Sequence, residues 1–85
     1  MRVIYHKRFQ KQYRKLPDNL REKFDHCLMI FIQDPFDQGL NNHALRGKYS
    51  GCRSIDITGD LRAIYEVSGE NVNFTLIGTH SELYS

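Results

Sequence analysis

The sequence predicts an α+β protein in which an N-terminal strand and a helical hairpin pack on a mostly antiparallel four-stranded sheet. Two observations support this fold class. Apolar residues recur at helical spacing up to residue 33, and from residue 52 onward they alternate with the two-residue period of strands. The chain has 85 residues, of which 40% are hydrophobic and 26% charged, and this composition predicts one folded domain spanning 1–85.

The first two elements are a strand and a helix. Residues 2–6 are predicted to form a strand because β-branched and aromatic side chains dominate the run Arg-Val-Ile-Tyr-His. From Lys7 the apolar spacing becomes helical, with Phe9, Tyr13 and Leu16 on one stripe. Pro17 is expected to interrupt this helix because proline cannot continue the backbone hydrogen bonds.

A second helix follows directly. Asp18 is predicted as its N-cap, and the apolar stripe continues to about Gln33, where Asp34-Pro35 ends it. The stripe consists of Leu20, Phe24, Cys27, Leu28 and Phe31. Because so short a link joins the two helices, they are predicted to form an antiparallel hairpin.

The rest of the chain reads as a loop followed by strands. Residues 35–50 are polar and are predicted to be a loop, whereas 52–58 and 61–67 alternate and are predicted to pair across the turn signal Gly59-Asp60. A last strand is predicted over 72–78, followed by a short C-terminal tail. In this strand Val72, Phe74 and Leu76 are expected to share one face.

Charged residues of the predicted hairpin form one candidate site. Asp60 and Arg62 lie two residues apart and are predicted to share a strand face opposite the core side chain of Leu61. Asp56, across the hairpin, is expected to join them. The group is either a site for proton transfer and charge stabilisation or an ordinary cross-strand ion pair worth under about 1 kcal/mol, and the residues alone leave both interpretations open.

Two histidines add to this candidate site. His43 lies in the predicted loop and His80 just beyond the last predicted strand. An imidazole is suited to proton transfer near neutral pH, although each residue also fits the description of an ordinary surface histidine.

The charge distribution is uneven along the chain. The net charge is +2, yet residues 1–23 contain eight basic and two acidic residues. Such a segment is typical of a polyanion-binding face, or of a solvated lysine-rich helix. No apolar run approaches the 18–20 or so residues of a membrane span, and the basic start lacks the apolar stretch of a signal peptide, so a cytoplasmic location is predicted. Cys27 and Cys52 are then expected to be reduced, and the four histidines are too scattered to predict a metal site.

Three segments carry a resemblance to a known group of proteins. They are the run from Asn42 to Arg53 (Asn-His-Ala-Leu-Arg-Gly-Lys-Tyr-Ser-Gly-Cys-Arg), the run 60–65 (Asp-Leu-Arg-Ala-Ile-Tyr) and the closing run 78–84 (Gly-Thr-His-Ser-Glu-Leu-Tyr). Together they resemble the RelE/ParE toxin superfamily, and most closely its YafQ-like branch of toxins that cleave messenger RNA. The closing run is the most specific of the three.

The resemblance implies a RelE-like fold and a toxin of a type II toxin–antitoxin system. It implies a metal-independent endoribonuclease that needs no cofactor and cleaves mRNA on the ribosome. In such enzymes the substrate's 2′-hydroxyl attacks the adjacent phosphate and leaves a 2′,3′-cyclic phosphate. The implied partners are a cognate antitoxin, mRNA and the ribosome with its RNA, and no membrane.

The resemblance also implies roles for individual residues. His43, Asp60 and His80 match the branch's catalytic positions, and Tyr84 matches its C-terminal aromatic residue, which is expected to stack on or orient a base. His80 is expected to be the general acid, and either His43 or Asp60 the general base. Arg62 and Lys48 are expected to stabilise charge on the phosphate. The residues expected to contact ribosomal RNA are Lys7, Arg8, Lys11, Arg14 and Lys15.

One position departs from the branch, and two other functions compete with the first. Asp56 lies where the branch usually has a histidine, and its carboxylate would repel a phosphate unless Arg62 or Lys48 paired with it. The first alternative is a ParE-like protein that poisons DNA gyrase without catalysis. The second is a decayed toxin that acts only as an antitoxin partner or co-repressor.

Overall fold

A computed structural model describes residues 1–84 of the chain. Its strands are β1 (Arg2–Tyr5), β2 (His43–Ala44), β3 (Arg53–Asp56), β4 (Leu61–Ser68) and β5 (Asn71–Thr79), and its α-helices are α1 (Lys7–Arg14), α2 (Asp18–Gln33) and α3 (His80–Tyr84). Two short 3-10 turns, Gln38–Leu40 and Gly47–Tyr49, flank β2. No helix within 1–84 is long and apolar enough to cross a membrane.

The strands form one mixed sheet in the order β1-β5-β4-β3-β2. β1 runs parallel to β5, and the remaining neighbours are antiparallel. The fold class is therefore confirmed, but the prediction of four strands was wrong, because the sheet has five. The additional strand is β2, inside the segment 35–50 that was predicted to be a loop. Two residues cannot display an alternating pattern, so pairing with β3 defines this strand rather than its own sequence.

The main core lies between the sheet and the helices α1 and α2. Phe9, Phe24 and Phe74 are at most 2% exposed, and the Phe9 and Phe74 rings lie 5.2 and 5.6 Å from that of Phe24. Phe31 packs edge-on against Tyr65 at 5.0 Å on the same side of the sheet. Each such side chain contributes roughly 1.5–3 kcal/mol through burial, so the aromatic stripes seen in the sequence hold both helices to this face.

The junction between α1 and α2 differs from the prediction. Pro17 rather than Asp18 is the N-cap of α2, and it provides no side-chain cap. The carboxylate of Asp18, the first helical residue, instead pairs with the guanidinium of Arg21. Arg21 also donates hydrogen bonds to the backbone carbonyls of Arg14 and Leu16, at 3.2 and 2.6 Å. Because this guanidinium satisfies the open carbonyl end of α1, it ties the two helices together.

The outer edge of β5 is covered in two different ways. β1 pairs with residues 71–74 only, so beyond Phe74 this outer edge of β5 has no neighbouring strand among residues 1–84. There the side-chain oxygen of Gln12, on α1, accepts a hydrogen bond from the Ile77 N–H at 2.9 Å. At this part of the edge, a side chain of α1 therefore takes the place of a hydrogen-bonding strand.

A register shift in β5 separates two sides of the sheet. Ile64 pairs with Leu76, whereas Tyr65 pairs with Phe74, so Thr75 is an extra residue of a β-bulge. Leu76 therefore points to the face opposite Phe74, and the prediction that both share one face was wrong. The bulge reverses the alternation and places Leu76 in a second apolar cluster with Ile64 and with Leu83 of α3. We call this face of the sheet, opposite α1 and α2, the site face.

Candidate active site

The strand register brings three of the predicted site residues to the site face. Residues directly opposite each other in neighbouring antiparallel strands share a face. His43 lies opposite Ser54, which lies opposite Ile64, and Asp56 lies opposite Arg62 in the next row. Ile64 belongs to the cluster on the site face, so its row lies on that face. Asp56 and Arg62 are each two residues away from that row along their strands, so they lie on the same face, about 7 Å from it.

Asp56 and Arg62 form the ionic part of this surface. The Arg62 Nη1 lies 2.6 Å from the Asp56 Oδ1, and the two side chains are only 23% and 24% exposed. The other carboxylate oxygen of Asp56 accepts a hydrogen bond from the Asn41 side-chain amide at 3.0 Å. The negative charge that departs from the branch pattern is therefore paired with Arg62, one of the two partners expected for it. The buried Nε–H of Arg62 has no hydrogen-bond partner among residues 1–84.

His43 is held by the residue two before it. Its Nδ1 lies 2.8 Å from the backbone carbonyl oxygen of Asn41. Asn41 adopts a left-handed conformation with φ of 47° at the end of the Gln38–Leu40 turn. Asparagine tolerates this conformation better than most residues, and the reversal leads the chain from the turn into β2.

Asn42 anchors the same segment from the opposite side of the sheet. Its amide nitrogen donates to the Pro35 carbonyl at 2.8 Å and to the Tyr65 hydroxyl at 2.6 Å, and its oxygen accepts from the Arg53 Nε at 2.8 Å. Sequence reasoning missed both Asn41 and Asn42. The one available signal was the Asn-Asn pair itself, because asparagine is favoured where a chain turns through positive φ.

A helix follows β5 where the sequence predicted a short C-terminal tail. The Thr79 hydroxyl accepts a hydrogen bond from the Glu82 N–H at 3.1 Å, and the Glu82 carboxylate accepts one from the Thr79 N–H at 2.8 Å. This reciprocal pair is a capping box, and its Thr-x-x-Glu spacing was visible in the sequence. Leu83 then packs into the cluster on the site face, so α3 lies on that face. Ser85 is outside the described residues.

Asp60 lies in a turn rather than on a strand. β4 begins at Leu61, and the preceding turn is closed by Thr58, whose hydroxyl accepts hydrogen bonds from the Asp60 and Leu61 N–H groups at 3.3 and 3.0 Å. The prediction that Asp60 and Arg62 share a strand face was therefore wrong. The Asp60 backbone oxygen and Oδ1 lie 3.2 and 3.4 Å from the His80 backbone nitrogen, so Asp60 lies at the start of α3.

Aromatic rings and a lysine surround the end of α3. The His80 and Tyr84 ring centroids are 4.7 Å apart, and Tyr49 packs edge-on against Tyr84 at 5.3 Å. The Tyr49 hydroxyl donates to the Leu83 carbonyl. The Lys48 Nζ lies 5.2 Å from the Tyr49 ring centroid and 6.0 Å from that of Tyr84. His80, Lys48 and Tyr84 are thus brought together, and Tyr84 remains 41% exposed.

The structure does not bring the basic residues of the first helix to this site. α1 packs on the opposite face through Phe9 and along the β5 edge through Gln12. The exposed basic residues there are Lys7, Arg8, Lys11, Arg14 and Lys15. Within 1–84, no group of three or more His, Cys, Asp or Glu side chains is arranged to hold a metal ion.

The fold resembles those of known bacterial toxins. Residues 1–85 match the family model for a bacterial toxin of type II toxin–antitoxin systems, YafQ. The chain is therefore a toxin of the type II class within the RelE superfamily. More narrowly, it belongs to the YafQ family.

Three solved structures illustrate the likeness. YafQ from E. coli strain BL21(DE3) is 21% identical with a TM-score of 0.81, and the alignment covers 100% of both chains. The E. coli DinJ-YafQ complex matches at 23% identity and a TM-score of 0.74, with the same coverage. A YoeB/ParE toxin from Agrobacterium tumefaciens is 21% identical with a TM-score of 0.79, over 94% of this chain and 99% of that one. No curated protein sequence matches the chain significantly.

Proposed function

We propose that this toxin is an endoribonuclease that cleaves mRNA on the ribosome by proton transfer, without a metal ion. One observation is the main support for the proposal. On the site face, the Arg62 guanidinium lies between the element that contains His43 and the element that contains His80. Arg62 is on β4, His43 is on β2 two strands away, and His80 starts the helix that follows the neighbouring strand β5. Neighbouring strands lie about 4.8 Å apart, so this spacing fits a phosphodiester with a proton-transfer group on either side.

Each group has a separate role in the proposed reaction. The base, His43 or Asp60, takes the proton of the substrate's 2′-hydroxyl, and the 2′-oxygen forms a bond to the adjacent phosphorus. The bond from phosphorus to the 5′-oxygen breaks, and the His80 imidazolium gives that oxygen its proton. The products are a 2′,3′-cyclic phosphate and a 5′-hydroxyl. Arg62 stabilises the charge that develops on the phosphate, and Lys48 supports it from the α3 side.

The aromatic cluster gives the substrate base a platform. Tyr84 is 41% exposed and is supported from two directions by the rings of His80 and Tyr49. Stacking of a base on an exposed aromatic ring contributes about 1–3 kcal/mol without demanding a particular sequence. A nucleobase stacked on the Tyr84 ring has its own phosphate near His80.

The proposed partners follow from the surface charge and from the relatives. The exposed lysines and arginines of α1 lie away from the site and are suited to ribosomal RNA phosphates. YafQ of E. coli forms a complex with DinJ, and we propose that a cognate antitoxin binds this chain as well. Because the proposed substrate is mRNA bound to ribosomes, we propose that the toxin acts in the cytoplasm. We also propose that residues 1–85 form a single domain.

The proposal is tested by mapping the 5′ ends of a defined mRNA in a translation extract. Magnesium is chelated, and the ribosomes are stabilised by polyamine. Wild-type toxin should produce discrete cuts with cyclic-phosphate ends. His80→Ala should produce none, and His26→Ala, which alters an exposed histidine of α2, should cut like wild type. An absence of cuts by folded wild-type protein on intact ribosomes would contradict the proposal and favour a gyrase poison or a decayed toxin.

A further inference from the structure

We infer that Asn41 is a positioning residue that sets the tautomer of His43 and thereby makes the His43 Nε2 the proton acceptor of the reaction. The part about the reaction rests on the proposed function. The part about the tautomer rests only on the contacts around Asn41.

The contact with Asn41 determines which nitrogen of the His43 ring carries the proton. The His43 Nδ1 lies 2.8 Å from the Asn41 backbone oxygen. A carbonyl oxygen can only accept a hydrogen bond, so Nδ1 carries the proton. In the neutral ring the lone pair is then on Nε2, the nitrogen farther from the backbone. A histidine in this form can take a proton through Nε2, and its ring orientation is held at the other nitrogen.

The backbone conformation and side-chain contacts of Asn41 suit it to provide this carbonyl. Its φ of 47° is a left-handed conformation that few side chains adopt without strain. Its own amide donates to the Asp56 Oδ2 at 3.0 Å, which holds the residue against β3. The neighbouring Asn42 is fixed by three hydrogen bonds on the opposite side of the sheet. The contacts of Asn41 and Asn42 on the two faces of the sheet therefore hold the Asn41 carbonyl where it can accept a hydrogen bond from His43.

Asn41 also connects the proposed base to the cation proposed to bind the phosphate. Asn41 contacts His43 through its backbone and Asp56 through its side chain, and Asp56 in turn pairs with Arg62. Through these contacts Asn41 supports the spacing between the imidazole of β2 and the guanidinium of β4, which the strand register also fixes. Misplacement of a reacting group by about 1 Å can cost on the order of 100-fold in rate, so this spacing matters for catalysis.

The position of Asp60 separates the two candidate bases. The Asp60 Oδ1 lies 3.4 Å from the His80 backbone nitrogen, at the end of the site that carries the general acid. His43 lies on β2, on the other side of Arg62. A base and an acid that act on opposite sides of one phosphorus need this separation, which assigns the base to His43 and leaves Asp60 to position the start of α3.

The tautomer is measured directly by ¹⁵N NMR of the full-length toxin labelled at histidine, at about pH 8.5, where imidazole is neutral. Wild type should show His43 protonated at Nδ1. Asn41→Gly keeps both the carbonyl and the left-handed conformation, and should retain this tautomer. Asn41→Val disfavours that conformation because its side chain is β-branched, and should release His43 to the Nε2-protonated form. A wild-type His43 protonated at Nε2, or an unchanged tautomer in Asn41→Val, would overturn the inference. The wild-type spectrum decides the tautomer even if Asn41→Val does not fold.

Single-turnover cleavage at saturating ribosome-bound mRNA tests the catalytic part. Asn41→Val should lose about 10- to 100-fold in rate constant with an unchanged half-saturating concentration, whereas Asn41→Gly should lose only a few-fold. Equal rates for Asn41→Val and wild type would remove the positioning role. If wild type shows the expected tautomer but cuts no mRNA, the proposed function fails and the assignment of His43 as base falls with it, while the tautomer assignment stands.

Discussion

Asp56 and Arg62 lie directly opposite each other on β3 and β4, and their side chains form an ion pair of 2.6 Å on the site face. The pair explains how a carboxylate is tolerated at a position that, in the proposed function, also faces an RNA phosphate. Asp56 occupies one donor of Arg62 and holds the guanidinium in place. It also reduces the positive charge that the phosphate would meet.

Asp56→Asn should therefore strengthen RNA binding. The amide oxygen still accepts a hydrogen bond from Arg62, but the negative charge is gone. We expect tighter binding of a non-cleavable RNA, and a plot of log affinity against log salt steeper by about one unit, because one more phosphate contact becomes effective. Titration at several salt concentrations measures both. Glu70→Gln removes the same charge from an exposed turn at the far end of β4 and should leave the slope unchanged. Equal slopes for Asp56→Asn and wild type would contradict the expectation that Asp56 weakens the contact between Arg62 and the phosphate.

Tyr49 links the segment after β2 to α3, and its hydroxyl can be removed alone. Tyr49→Phe loses the hydrogen bond to the Leu83 carbonyl but keeps the ring packed against Tyr84. We expect a loss of about 0.5–1.5 kcal/mol in the free energy of unfolding by urea, and a lower cleavage rate because Tyr84 is less well held. Tyr84→Phe is the control for stability, since Tyr84 is exposed, and should unfold like wild type. Equal stability of Tyr49→Phe and wild type would show that the contact to Leu83 contributes nothing.

The basic face of α1 is expected to bind the ribosome rather than the scissile phosphate. Reversing two exposed charges together, in Lys11→Glu/Arg14→Glu, should weaken co-sedimentation with ribosomes and lower its salt dependence by about two units. Lys23→Glu changes an exposed charge on α2 and should have a much smaller effect. Unchanged co-sedimentation of the double variant would remove this role from α1.

Stability should fall at alkaline pH because four buried or half-buried groups resist ionisation. Burial raises the pKa of the Cys27, Cys52 and Tyr5 side chains. Burial, and then the hydrogen bond that its hydroxyl donates to Asp25 at 2.8 Å, raise the pKa of Tyr13. Each group has a higher pKa in the folded than in the unfolded chain. Its contribution is therefore complete below the unfolded pKa and is lost as pH rises through the folded one.

Urea unfolding at a series of pH values checks this. The free energy of unfolding should decline above about pH 8.5, where unfolded thiols ionise, and further above about pH 10 for the tyrosines. Tyr13→Phe cannot ionise and should flatten the upper part of the decline. A free energy that stays constant to pH 10.5 would contradict the assignment. Both cysteines are free thiols, so the same burial should make them slow to alkylate near neutral pH.

The strongly periodic elements could be predicted from the sequence because burial of an apolar stripe is what forms them. Phe9 and Phe24 lie in the core between two helices and the sheet, as their spacing indicates. The hairpin of β3 and β4 likewise follows from alternation and a turn signal. β2 could not be predicted, because two residues carry no period. The bulge at Thr75 could not be predicted either, because it comes from strand pairing rather than from the order of apolar residues.

The candidate site was predictable by residue type but not by geometry. His43, Arg62 and His80 were singled out by residue type and position, and the resemblance gave them roles. Their placement, however, depends on the register and on the capping box that starts α3. Asn41 escaped prediction because it holds His43 through a backbone carbonyl, which every residue type has. Only its tolerance of a left-handed conformation distinguishes it.

The most direct test of the proposed chemistry replaces the leaving oxygen with sulfur. A ribosome-bound mRNA with a 5′-bridging phosphorothiolate at a mapped cleavage position releases a thiolate, which does not need a proton from a general acid. His80→Ala should then cleave this substrate nearly as fast as wild type, although it fails on ordinary mRNA. His43→Ala should fail on both, because the base is still missing. If His80→Ala is equally impaired on both substrates, His80 does not protonate the leaving group, and the proposed assignment of acid and base roles on the site face is wrong.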